Sequence, residues 1–259
     1  NTNGIPLTHA QQRQWVLAQL DPNNPAYNIP VAVNVDGPLP LVNLEKAFEV
    51  LCARHEVLHT RYVATLEGTP RGKLDPSQTI NVRLIDLSKE DPESQESTLH
   101  KLLAEEARKP FDLGTAPLLR VLCVKISQTR HVMMLVMHHM IGDAWSLRIL
   151  LRELFTLLQE NPTSVRLPLE NLTLQYSDFA EAELRRNNQI SRDYWRNQLA
   201  NAPSRIDLPV DYAIREEPNH SAGEVRFEFD ERLTISLQQL SHRHNATLYM
   251  TLLAAFKVL

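Results

Sequence analysis

The run His138-His139-Met140-Ile141-Gly142-Asp143-Ala144-Trp145 sets two imidazoles and a carboxylate close together along the chain. An imidazole ionises near neutral pH, so one held at the edge of a core can take up and return a proton. Val132 to Met137 (VMMLVM) precedes the pair as a continuous apolar run, the pattern of a strand covered on both faces. Ser146 to Gln159 (SLRILLRELFTLLQ) follows with helical spacing, placing Leu147, Leu150, Leu151, Leu154 and Leu158 on one stripe. Strand, turn and helix together would hold His139 on a rigid element, a position suited to a catalytic base.

Each of these residues has a plainer role to weigh. A lone histidine here would read as a core residue bonded to backbone. Neighbours on a strand face opposite sides, so His138 is expected to pack rather than share the orientation of His139. That geometry disfavours a two-histidine metal site, and no Cys or third His lies at ligand spacing; no metal is expected. Asp143 can cap the helix through the Trp145 or Ser146 N–H, or pair with a buried arginine. Ser146 suggests a serine nucleophile, but no GxSxG elbow precedes it, and N-capping explains it better. Trp15 and Arg13 fall on the first helix, where Trp suits the core. Tyr27-Asn28 reads as the end of a turn, and Glu181, Glu183, Arg185 and Arg186 as a solvated helix face.

The remaining chain supplies a mixed α/β order. Thr8 and Gln11 form a capping-box pattern opening a helix through HAQQRQWVLAQL. Ile29, Val31, Val33 and Val35 alternate as a strand. Leu44 to His55 reads as a helix with Leu44, Ala47, Phe48 and Leu51 on one face. A strand around 60–64, a Gly-Pro loop and a strand at 80–87 come next, then a helix over 97–109 stopped by Pro110. Leu118 to Ile126 and Val132 to Met137 should pair antiparallel across the polar SQTRH. Beyond a Pro-punctuated linker at 161–169 lie helices at 177–188 and 191–200, an alternating strand at 224–230 and a helix at 233–244. Thr247 is placed to cap a last helix.

Composition narrows the class. The 259 residues are 43% hydrophobic and 22% charged, ordinary for a soluble globular protein of one large domain or two modest ones. A net charge of −4 offers no basic patch for nucleic acid. Cys52 and Cys123 make no disulfide framework, which points to a reducing cytoplasm. No apolar stretch reaches the length of a membrane span. The chain starts without Met and ends within an apolar pattern, so it reads as a piece of something longer.

Four segments carry a resemblance. They are PLTHAQQRQWVLAQLDPNNPAYNIP at 6–30, RHEVLHTRY at 54–62, MHHMIGDAWS at 137–146 and YSDFAEAE at 176–183, with PFDLGTAPLLRV at 110–121 as further support. In order and separation they resemble the condensation domains of non-ribosomal peptide synthetases, whose signature is HHxxxDG. HHxxxD alone is a short pattern; the ordered set over more than half the chain is far more specific.

The resemblance implies an α/β fold, a chloramphenicol acetyltransferase-like mixed-sheet sandwich of two pseudo-symmetric subdomains with a tunnel between them. Residues 1–170 would be the complete N-terminal subdomain carrying the signature, and 171–259 the truncated beginning of the C-terminal one. It further implies amide-bond formation between a donor acyl or peptidyl thioester and an acceptor aminoacyl thioester. Both would ride on the phosphopantetheine of donor and acceptor peptidyl carrier proteins, with an adjacent adenylation domain and no cofactor of the domain's own. His139 would be catalytic, Asp143 a structural anchor with Arg54 as its candidate partner, and His138 part of the same motif. Gly142, Ala144, Trp145 and Ser146 would lie near the tunnel or oxyanion position. The first motif resembles that of the subclass joining two L-configured residues.

The chain departs from the family pattern at Ala144, where the signature has Gly, and at His59, where an arginine is usual. Alanine is harmless at 144 if the helix has already begun there, and costs about 1 kcal/mol if φ is positive. Alternatives are a starter or stand-alone acyltransferase using coenzyme A thioesters, and a non-catalytic carrier-docking domain. With only part of the tunnel, the isolated chain is expected to be inactive.

Overall fold

The computed structural model describes residues 4–159, 169–186, 188–204, 209 and 225–258. In chain order the elements begin with β1 (Ile5–Pro6), α1 (His9–Leu20), β2 (Asn28–Asp36), α2 (Leu41–Arg54), β3 (Thr60–Ala64), β4 (Pro70–Leu74) and β5 (Val82–Asp86). They continue with α3 (Pro92–Arg108), β6 (Leu119–Lys125), β7 (Arg130–His138), α4 (Ala144–Gln159), α5 (Tyr176–Arg185), α6 (Gln189–Gln198), α7 (Glu231–Arg243) and α8 (Leu248–Phe256). The chain divides into two compact units, Asn1–Ile206 and Asp207–Leu259.

In the first unit a four-stranded mixed sheet runs β2-β7-β6-β5. β7 is antiparallel to both neighbours, and β5 joins parallel to β6. The unbroken apolar run of β7 has the cause its pattern predicts. Met133, Leu135 and Met137 face a core shared with α2 and α4, while Val132, Met134 and Val136 pack on the opposite side with Leu99, Leu102 and Leu103 of α3. Covered on both faces, the strand has no solvent side to mark with polar residues. The buried face of α2 is Leu44, Ala47, Phe48, Leu51 and Cys52; α4 brings Leu147, Leu150, Leu154 and Leu157 to the same core. Leu157, not the expected Leu158, is fully buried. α4 also begins at Ala144, ahead of the Ser146 suggested by its apolar spacing.

A second sheet runs β1-β4-β3, and its middle strand lies where the sequence suggests a Gly-Pro loop. β4 (PRGKL) has no alternation to betray it. Gly72 packs closely there: a Cβ would stand 3.1 Å from Thr60 Cγ2 and 3.3 Å from Ile5 Cβ. The capping box of α1 forms as its sequence predicts: the Gln11 N–H donates to Thr8 Oγ1, and the Thr8 N–H donates to Gln11 Oε1. α3 starts at Pro92 after Asp91 caps it, about a turn before the expected position.

Within the first unit, specific bonds hold the chain beyond residue 170 to the segments before it. Gln175 Nε2 donates to the Arg54 carbonyl, Ser177 to Glu56 Oε2, and the His9 N–H to Glu183 Oε2. Glu183 is therefore bonded at the start of α1 rather than simply solvated. The linker expected at 161–169 falls, but for Leu169, outside the described residues.

In the second unit α7 and α8 meet through a turn with Asn245 at φ 51°. The Asn245 N–H donates to the His242 carbonyl and the Ala246 N–H to that of Ser241, closing the end of α7. Thr247 caps α8 as its sequence suggests, its hydroxyl accepting from the Met250 N–H. Of the alternating strand expected at 224–230, residues 225–230 are described; they are exposed and carry no ladder among the described residues. Alternation marks a half-buried strand only where a neighbour supplies the ladder and the core.

Candidate active site

β7 ends at the two histidines, and the end of the strand separates them. His138 is its last residue, with an N–H that donates to the Leu118 carbonyl. Its ring is buried edge-on to Phe111, with centroids 5.9 Å apart, and Nδ1 accepts from the Met140 N–H at 2.9 Å. Burial, reinforced by the nearby His139 and Arg120, pushes its pKa down to about 4. A neutral, bonded and enclosed imidazole packs; it does not exchange protons near pH 7.

His139 is the opposite case. Its N–H donates to the Tyr27 carbonyl at 2.8 Å, so the backbone is fixed where β2 begins, while the side chain is exposed. Among the described residues no hydrogen-bonding partner engages its imidazole. Tyr27-Asn28, which reads from sequence as a turn ending, is thus part of the mount. Asn28 opposes His138 in the β2–β7 register and ties the end of α3 through Nδ2 to the Ala107 and Lys109 carbonyls, each at 2.8 Å.

His139 opens on a cavity of about 340 Å³ within the first unit. Its wall includes the apolar Met137, Met140, Ile141, Ile149, Leu150, Val57 and Leu58, with Gly142, Asp143 and Ser146, Gln11 and Gln14 of α1, and Ala10, His55 and Tyr176. Gly142 is required by packing: a Cβ there would stand 2.9 Å from both Ser146 Cβ and Met137 Cε. Ala144 and Trp145 are exposed and outside the lining of this cavity. Helical spacing is the reason: Asp143, Ser146 and Leu150 share one face at the start of α4, and the two residues after Asp143 turn away from it.

Asp143 caps α4. Its Oδ1 accepts from the Ser146 N–H and from the Ser146 hydroxyl, both at 2.8 Å, and these bonds hold its carboxyl below the usual range. The expected pair with Arg54 is not formed, and Ser146 is the capped residue rather than the cap. Arg54 instead donates through Nε to Glu153, at 3.2 Å from Oε2, and through Nη1 to the Glu170 carbonyl. Glu153 also lies 2.6 Å from His55 Nε2 and is 5% exposed. The carboxylate that claims Arg54 is thus further along α4 than Asp143. Its signal is present in the sequence: Glu153 interrupts the apolar stripe between Leu150 and Leu154. Ala144 starts the helix and is not among the positive-φ residues, so alanine is harmless there. His59 is buried, its Nδ1 2.8 Å from the Cys52 carbonyl.

Comparison with known proteins identifies the family. The family model described as the condensation domain matches residues 1–259. Malpinin synthetase of Mortierella alpina is 34% identical over 258 residues, 98% of this chain and 3% of that protein. Phosphinothricin tripeptide synthetase PhsC of Streptomyces viridochromogenes is 33% identical over 259 residues, 98% of this chain and 24% of its own length. Among solved structures, the X-domain from teicoplanin biosynthesis has a TM-score of 0.77 at 25% identity, covering 93% of this chain and 53% of that one. The first condensation domain of the calcium-dependent antibiotic synthetase, in complex with a substrate analogue, has a TM-score of 0.64 at 25% identity, covering 77% and 48%. The chain thus spans about half of these solved domains and a small part of the synthetases. From its signature at the end of β7, its mixed-sheet architecture and these matches, the chain belongs to the condensation domain family of non-ribosomal peptide synthetases, within the chloramphenicol acetyltransferase-like superfamily.

Proposed function

We propose that this chain is part of a domain that joins a donor acyl or peptidyl thioester to the amine of an acceptor aminoacyl thioester. The observation that carries the reading is the unshared imidazole of His139, mounted on a rigid strand end beside an apolar cavity. In the reaction the acceptor nitrogen attacks the thioester carbonyl carbon and a tetrahedral intermediate forms. The C–S bond then breaks, and the proton lost by the amine accompanies the departing thiol. His139 serves either by accepting that proton or by holding the amine and intermediate through a hydrogen bond. A thioester is already activated, so positioning alone can carry much of the rate.

Both substrates would be presented on phosphopantetheine arms by donor and acceptor carrier proteins, with an adenylation domain nearby in the same assembly. The L-to-L subclass fits the first motif. We set the subdomain boundary near residue 170, where the chain leaves α4 for α5. The second unit displays Tyr249, Met250, Phe256 and Val258 to solvent, a face suited to cover by further residues of a longer C-terminal subdomain. On this reading the isolated chain is inactive.

The test uses the full polypeptide that bears this sequence, with carriers loaded with L-aminoacyl groups and products followed by intact-protein mass spectrometry. His139→Ala should lower dipeptidyl-carrier formation by about 10²–10⁴-fold while leaving the thermal transition unchanged. An unchanged rate would remove His139 from the chemistry. Coenzyme A-linked donors turning over in place of carriers would favour the stand-alone acyltransferase, and carrier binding without turnover a docking domain.

A further inference from the structure

The polar members of the cavity wall are nearly all engaged within the protein. Gln11 Nε2 donates to the Tyr62 hydroxyl and the Met140 carbonyl, Ser146 is bonded to Asp143, and His55 to Glu153. Two groups are left over among the described residues: the imidazole of His139 and the carboxamide of Gln14. Gln14 lines the cavity, is 8% exposed, and its Oε1 is buried with no hydrogen-bonding partner. On the inner face of α1 a leucine would pack without cost, whereas an unbonded buried amide is unfavourable. The terminal torsion of glutamine is a broad rotor, so the amide can turn either its carbonyl or its NH2 toward an occupant.

We infer that Gln14 is a substrate-binding residue that hydrogen-bonds a secondary amide of the substrate within the His139 cavity. The inference rests on the thioester reading above. The natural complement of a carboxamide is another neutral amide, because burying a charge against it costs far more than burying a hydrogen-bonded neutral group. A secondary amide is neutral and carries one donor and one acceptor, so it satisfies whichever end Gln14 presents. Such a substrate supplies three, the two amides of the pantetheine arm and the last peptide bond of a peptidyl donor. With His139 at the reacting carbon, Gln14 gives the bound chain a second point of attachment.

The test measures binding without turnover, by calorimetry on the full polypeptide. The probes are an acyl-pantetheine and a dipeptidyl-pantetheine with the thioester sulfur replaced by CH2, each made also with one amide exchanged for an ester. Wild type should bind the parent probe about tenfold more tightly than the ester that lacks the recognised N–H or weakens its C=O. Gln14→Leu should bind parent and ester alike, and Gln14→Met should repeat that result if the leucine variant folds poorly. With each amide exchanged in turn, a difference confined to one of the two arm esters assigns that pantetheine amide; one confined to the peptide ester assigns the peptide bond. No difference in wild type, or one that persists in the variants, overturns the inference. Condensation without an amide–ester difference would sink the Gln14 assignment alone. A difference in a protein that never condenses its carriers would sink the condensation reading alone.

Discussion

At the scale of single residues, two adjacent histidines are given opposite chemistry by what surrounds them. His138 ends a strand buried on both faces and is kept neutral, while His139 steps off that strand into a cavity. The first has a consequence for stability. In the unfolded chain His138 titrates near 6.5, and in the folded protein near 4. Above pH 6.5 both states are neutral there, so its contribution is fully present; as pH falls toward 4 the unfolded chain takes a proton that the folded one refuses, and stability is lost. The loss is on the order of 3 kcal/mol across that window. Denaturant unfolding at pH 7 and pH 4.5 should show it, and His138→Asn, which keeps an acceptor for the Met140 N–H, should flatten the slope. Strand alternation predicts that the two differ, but what separates them is the end of β7 at His138, with His139 already in the turn. The free amide of Gln14 is not legible in the sequence, because a glutamine in QQRQW looks like any polar residue on a surface helix.

At the scale of elements, α4 depends on its first turn. The Asp143 cap holds Ser146 against the loop that carries His139. Asn caps nearly as well as Asp, so Asp143→Asn should stay close to wild type in stability, and Asp143→Ala should cost about 1 kcal/mol by urea unfolding. A loss of about 3–5 kcal/mol in the alanine variant would instead indicate a buried ion pair. The cap is one of two roles open to Asp143 from sequence. Sequence order shows which residue can reach the next turn; it does not show which arginine arrives from another helix. β4 escapes a reading by pattern for a related reason, since a short strand without alternation is defined by its partners β1 and β3.

At the scale of the molecule, Glu153 joins parts that are distant along the chain. Its carboxylate holds Arg54 and His55 at the end of α2, and Arg54 in turn reaches the Glu170 carbonyl while its own carbonyl accepts from Gln175. This junction fastens α2 and α4 to the segment that enters α5. Glu153→Ala leaves Arg54 without its carboxylate and should destabilise the protein by about 3–5 kcal/mol. Hydrogen exchange should then show early loss of protection in residues 176–185, ahead of β6 and β7. Uniform loss across the unit would mean that the junction has no special hold on α5.

Much of the fold is determined by local pattern. Apolar runs and helical stripes specify β2, β7, α2 and α4, and Gly142-Asp143 marks the start of the last of these, because strand pleat and helix pitch are properties of the chain itself. The ordered motifs likewise locate the family. Only tertiary structure decides that Glu153 takes Arg54, that Asp143 turns to its own helix, that the 225–230 segment finds no ladder among the described residues, and that Gln14 is left facing a cavity without a partner for its carbonyl. Each of those outcomes is a competition among groups brought together by packing. A charge or an amide bonds to what folding places within reach, and that distance is not written in the spacing of residues along the chain.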